Sequence, residues 1–136
     1  VNQKPQVLMS KADINVLNMS NIYMQMLDMP EAEIPSINTF IDENSNIFIG
    51  NTKIQIISTP GHTEGGLCYL IDNSLFSGDT LFKEAVGRCD LDGGDFDELE
   101  NSIKNKLFIL PETTDVYTGH GEDTTIGWEK NHNQFL

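Results

Sequence analysis

Three times in this chain an apolar run stops at a glycine, and the next side chain is a histidine or an aspartate. The segments read Pro60-Gly61-His62-Thr63, Ser77-Gly78-Asp79-Thr80 and Thr118-Gly119-His120-Gly121. The runs before them predict strands. Ile47-Phe48-Ile49 and Lys53-Ile54-Gln55-Ile56-Ile57 flank Gly50-Asn51 as a hairpin with a two-residue turn. Leu67–Ile71 and Leu75–Ser77 are joined by Asp72-Asn73, and Asp115–Thr118 is a last strand. Most of these runs are apolar on both faces instead of alternating, which predicts a sheet covered on both sides. If the strands are neighbours, their ends share one edge of that sheet, and His62, Asp79 and His120 converge. The glycines before them would allow tight turns with positive φ that present the next side chain into a cleft.

Helix signals lie on either side of the strands. Ser10 followed by Asp13 reads as a helix start with an acid in its first turn. Met19, Met24, Met26 and Met29 cluster before Pro30, where gap-filling in a core or a covering loop is the favoured reading over an adaptable binding groove. Glu31–Ser45 is polar, is broken by Pro35 and reads as a loop. Asp95 with Glu98 resembles a capping box opening a helix over about Phe96–Leu107, with Leu99, Ile103 and Leu107 as its apolar stripe. A short helix around Thr125–His132 closes the chain. With no repeat, low-complexity tract or linker, residues 1–136 read as one domain or part of one, a mixed α/β or α+β layer structure.

Charge narrows the function. Eight Lys and Arg against 21 Asp and Glu give a net charge of −13, which disfavours phosphate backbones and acidic lipid as partners. No apolar run approaches the ~20 residues of a membrane span. Val1–Ser10 carries Lys4 with no apolar stretch after it, so no signal peptide is expected. Two cysteines are too few for a disulfide scaffold, and a reducing cytoplasm is the default.

Imidazole nitrogens with a carboxylate oxygen suit zinc, and also iron or manganese. A single His or Asp after Gly is more often a solvated loop residue or a cap; the threefold repeat at successive strand ends shifts the balance to a site. Asp90-Leu91-Asp92-Gly93-Gly94-Asp95 invites a calcium-loop reading but lacks Gly at its sixth position and Glu at its twelfth, which is Asn101. Cys68, inside an apolar strand, reads as a buried inert thiol. Cys89, between Arg88 and Asp90, is a weaker candidate for thiol chemistry. Arg88, the one arginine, reads as a loop tie through Asp90 or Asp92, and His132 as solvated.

Taken in order, Thr59-Pro60-Gly61-His62-Thr63, Phe76-Ser77-Gly78-Asp79-Thr80-Leu81-Phe82, Val86-Gly87-Arg88 and Thr118-Gly119-His120-Gly121 resemble the metallo-beta-lactamase superfamily, and within it the glyoxalase II-like hydrolases. The ending from Thr125 to Leu136 is similar to that of the compact members, which lack the helical domain that binds glutathione. The resemblance covers about Asn46 to Leu136 and implies an αββα sandwich with two metal ions at one edge of the paired sheets. It implies that His62 binds one ion, His120 the other, and Asp79 bridges both, making Asp79 the residue closest to catalysis. The ions are usually zinc, with iron or manganese as alternatives. The implied reaction is attack of a metal-bound hydroxide on a thioester or related acyl carbonyl of a small-molecule substrate.

The family takes its other ligands from a His-x-His-x-Asp-His loop, and this chain has just three histidines, His62, His120 and His132. Val1–Lys11 would align just downstream of that loop. The expectation is therefore a C-terminal portion of such an enzyme, with two protein ligands per metal where three or four are needed. Alone it would be nearly inactive, with the missing segment or a second chain as partner. The alternative is a non-catalytic interaction module that retains the C-terminal half of the fold, and a thiol-redox role for Cys89 ranks third.

Overall fold

The computed structural model describes residues 5–136. Lys4, on which the signal-peptide expectation for Val1–Ser10 turns, and the first residues of Val1–Lys11 lie outside the described residues. Contacts divide the chain after Ile41 into two compact units.

The first unit holds strand β1 (Leu8–Met9), a single 3-10 turn at Lys11–Asp13, helix α1 (Ile14–Met26) and strand β2 (Thr39–Phe40). Ser10 starts the helical stretch as its sequence predicts, its hydroxyl accepting from the Ala12 amide at 3.3 Å. Strand β2 lies parallel to β1, with Leu8 opposite Thr39. It falls inside the segment read as loop, because two paired residues are too few to leave an alternating pattern. The methionines fill no core: no residue of α1 is buried, and Met19, Met26 and Met29 are exposed. Apolar residues are distributed all round α1, so they make no single stripe that one neighbour can cover.

The second unit carries the main sheet. Strands β3 (Ile47–Ile49) and β4 (Thr52–Ser58) form the expected hairpin, turning at Gly50, whose φ is 59°. Strands β5 (Leu67–Ile71) and β6 (Ser74–Gly78) form a second one, with Asp72 in the left-handed region. A small hairpin follows, β7 (Leu81–Phe82) with β8 (Ala85–Val86), then helix α2 (Phe96–Ser102). Strands β9 (Asp115–Thr118) and β10 (Thr124–Thr125) and helix α3 (Ile126–His132) complete the unit. The sheet order is β10-β9-β6-β5-β4-β3. Because β4, β5 and β6 alternate in direction and β6 pairs in parallel with β9, strands β4, β6 and β9 all point the same way. Their C-terminal ends therefore share one edge of the sheet.

Helix α2 begins as its capping box dictates, with the Asp95 carboxylate accepting from the Glu98 amide at 2.9 Å. It departs from a regular helix at Ile103–Leu107, which form a π turn closed by the Phe108 amide on the Ile103 carbonyl, an i→i+5 bond of 2.9 Å. Leu99, Ile103 and Leu107 are wholly buried with Ile57, Cys68, Leu75, Leu81, Val116 and Ile126. That core covers one face of the sheet. The predicted cover on both faces holds in β4, where the adjacent Ile56 and Ile57 are both buried. It fails at the β6–β9 end, where Phe76 and Tyr117 stack on each other and stay exposed.

Candidate metal centre

The loop after β4 is built to hold His62 in place. Thr59 is fully buried; its amide donates to the Gly66 carbonyl at 2.8 Å, and its hydroxyl lies 3.1 Å from that of Thr80 and 3.3 Å from the Cys68 sulfur. The loops after β4 and β6 are thereby stitched together beneath the site. Gly61 has φ of 135°, and a Cβ there would lie 2.3 Å from the Leu99 nitrogen, so helix α2 passes where a side chain would be. The His62 ring then meets the Arg88 carbonyl, 2.7 Å from Nδ1. A carbonyl oxygen only accepts, so Nδ1 carries a proton, and in the neutral ring the lone pair is left on Nε2.

Asp79 follows Gly78, whose φ is 52°, in a turn closed by the Thr80 amide on the Ser77 carbonyl at 3.0 Å. The positive φ that a glycine permits is not adopted at Gly119. Its glycine serves space: a Cβ there would lie 2.2 Å from Asp79 Oδ1. The bare backbone of the third loop thus makes room for the carboxylate of the second.

That carboxylate stands between the two imidazoles. Asp79 Oδ2 is 3.8 Å from His62 Nε2, and Oδ1 is 3.9 Å from His120 Nε2. Both spans are too long for a hydrogen bond. Each leaves room for an ion between nitrogen and oxygen, and is a few tenths of an ångström wider than the roughly 3.4 Å that two ligands about 2.1 Å from a tetrahedral ion span. The donors fit a metal in kind and orientation, with two protein ligands on each side. Among the described residues no three His, Cys, Asp or Glu side chains gather into a metal site, so the number of ligands falls short of the three or four a zinc site takes.

A cavity of about 390 Å³ opens over these groups, lined also by Phe82, Val86 and Arg88. Its wall is the β7–β8 hairpin, which the sequence reading missed. Phe82 stacks on His120 with ring centroids 4.5 Å apart. Glu84, at the turn with φ of 56°, is held from α3: its amide donates to Glu129 at 2.9 Å, and Trp128 Nε1 donates to its carboxylate at 3.0 Å. Glu129 is buried, and Thr124 and Asn133 also donate to it. Nothing in a polar C-terminal helix marks that glutamate as internal.

Arg88 is the expected loop tie. Its guanidinium donates to both oxygens of Asp90, at 2.7 and 2.9 Å, and holds that carboxyl down at about 2. Cys68 is fully buried, as read from its strand. Cys89 is no activated thiol: burial, then the charges of Asp95 and Asp90, push it above its ordinary value. His132 is exposed and stacks on Trp128.

The family model of the metallo-beta-lactamase superfamily matches residues 18–120. The chain belongs to the metallo-beta-lactamase superfamily. An uncharacterized protein of Aquifex aeolicus is 40% identical over 116 residues, covering 83% of this chain and 52% of its own length. The probable polyketide biosynthesis zinc-dependent hydrolase PksB of Bacillus subtilis is 44% identical over 80 residues, 59% of this chain and 36% of its own. Among solved structures, TTHA1623 in a di-iron-bound form superposes with a TM-score of 0.88 at 32% identity, over 96% of this chain and 65% of that one. The chain thus has the metallo-beta-lactamase fold and spans about half the length of the curated relatives it matches.

Proposed function

We propose that this chain supplies one side of a two-metal hydrolase centre that cleaves a thioester or related acyl substrate, in the manner of the glyoxalase II-like enzymes. The observation that carries the reading is the Asp79 carboxylate, one oxygen toward each imidazole at 3.8 and 3.9 Å. In this reading His62 and His120 would each hold one ion, with Asp79 serving both. When bound, two such ions lower the pKa of water and polarise an acyl oxygen. The chain's own contribution is alignment. The Arg88 carbonyl fixes the His62 tautomer, Phe82 supports His120, and the β7–β8 hairpin walls the cavity that receives the acyl group.

Zinc is the first expectation, supported by the name of the Bacillus subtilis relative; iron is supported by the TTHA1623 structure. The remaining ligands belong to the rest of a longer protein or to a second chain. Two free cysteines fit a reducing cytoplasm, and no helix among the described residues is long and apolar enough to cross a membrane.

The test pairs metal content after gel filtration with thioester turnover, for the 136-residue chain and for the full protein containing it. The expected result is about two ions per full-length chain, chelator-sensitive turnover, and little of either in the short chain. A full-length protein that is metal-free and inactive on acyl substrates overturns the proposal in favour of a non-catalytic module.

A further inference from the structure

The end of β4 and the start of the loop that presents His62 are gripped by the helix packed against them. Three of their carbonyls accept hydrogen bonds from that one element. The Asp95 amide donates to Gly61 at 2.8 Å, the Ser102 hydroxyl to Pro60 at 2.9 Å, and Lys106 Nζ to Ser58 at 2.7 Å. Ser102 is buried and Lys106 partly so. Lys106 is the unusual member. A lysine in a chain this acidic has carboxylates to choose from, yet it spends its ammonium on the carbonyl that ends β4. The core stays closed beside this contact: Leu107 is buried with Leu99 and Ile103, and Lys106 stands one turn beyond Ser102.

We propose that Lys106 and Ser102 are positioning residues for His62: they fix the backbone from which the ring reaches the Arg88 carbonyl, and so aim its Nε2 at the site. The proposal rests on reading His62 as a metal ligand, but the clamp itself is present without metal. A ligand's partner acts by fixing tautomer and ring orientation, and losing such support costs about 10–100-fold in metal affinity. Pro60 has no amide N–H to donate, so its carbonyl is the backbone group by which it can be held.

The test uses the chain's three histidines as their own controls. With ¹⁵N-labelled histidine and metal-free protein at a pH where ordinary imidazoles are neutral, the two His62 nitrogens give well-separated resonances for a fixed Nδ1–H tautomer. Lys106→Met is expected to draw those resonances toward each other while His120 and His132 stay in place, and Lys106→Arg to restore them. In the full-length protein Lys106→Met is expected to weaken metal binding about 10-fold. Ser102→Ala gives a second reading of the His62 resonances should Lys106→Met fail to fold. A folded variant whose His62 resonances do not move overturns the proposal; so does one in which all three histidines move together, since that is general loosening. Absence of metal from the full-length protein overturns the hydrolase reading and leaves the tautomer result standing, so the two failures are distinguishable.

Discussion

His62 and His120 face the same carboxylate from two loops that are held very differently. The His62 side chain is 23% exposed, its ring bonded to a carbonyl and its loop tied to a helix. The His120 side chain is 75% exposed; its ring rests on Phe82, and the Thr118 hydroxyl donates to its carbonyl at 2.8 Å. Sheet topology accounts for both being at the site, because β4 and β9 end on one edge. Packing beneath each loop accounts for how firmly each is aimed. Bringing donors together and aligning them are thus separate properties of this fold.

The largest expected effect erases the comparison. Asp79→Asn leaves each imidazole facing a neutral amide, and both sides lose a ligand at once. Metal binding and chelator-sensitive turnover of the full-length protein are expected to fall by more than about 100-fold, beyond what removing a ligand's supporting partner does. Isothermal titration with zinc reads this directly. Retained tight binding would mean that Asp79 bridges nothing.

Two glycine substitutions then separate holding from aligning. Gly61→Ala drives a Cβ into the Leu99 backbone at a φ that alanine avoids, so it is expected to cost about 3 kcal/mol in urea unfolding. Gly119→Ala meets first the Asp79 carboxylate, a side chain that can turn away, and then the Gly78 backbone at 3.0 Å, which need give only slightly. Its expected stability cost is nearer 1 kcal/mol, with about a 10-fold loss of metal affinity in the full-length protein. Equal stability losses would mean the two loops are equally rigid.

These positions also show what a reader of the sequence can see. Gly-His and Gly-Asp at strand ends were legible because turn chemistry and donor chemistry coincide there. The strands themselves were legible from their length and apolar content, as with Leu67–Ile71 and Asp115–Thr118, which occur where they were read. The purpose of Gly119 was not, since a glycine needed for a neighbour's space looks the same as one needed for φ. The β7–β8 hairpin left no pattern in its two-residue strands, and with it went the Arg88 carbonyl, a partner with no side-chain signature. The π turn left no trace: Leu99, Ile103 and Leu107 recur every four residues, a spacing that one face of a regular α-helix also holds.

A smaller change loosens the weaker side alone. Phe82→Ala removes the ring under His120 and leaves the His62 contacts untouched. The expected outcome is about a 10-fold loss of affinity for one ion of the pair, with the other unchanged. Stepwise metal titration of the full-length protein resolves the two events. Equal weakening of both would mean that Phe82 supports the carboxylate as much as the imidazole.

The smallest effect concerns the carbonyl that fixes His62, since it belongs to Arg88, whose guanidinium is engaged with Asp90. The Asp90 carboxyl is held from 3.8 down to about 2 by that bond. A depressed carboxylate pKa contributes stability that is fully present above the unfolded value and is lost as pH falls through the folded one. The pair is therefore expected to be intact above about pH 4 and to release between there and about pH 2. A carboxyl NMR titration reads the midpoint, and Arg88→Met is expected to return it toward the ordinary aspartate value. Both side chains lie open to solvent, so the midpoint is also expected to rise with salt as the pair is screened. If His62 keeps its Nδ1–H tautomer in Arg88→Met, the backbone of the β8 loop holds the carbonyl without the guanidinium. If the tautomer is lost, the one arginine in the chain is part of what aims His62.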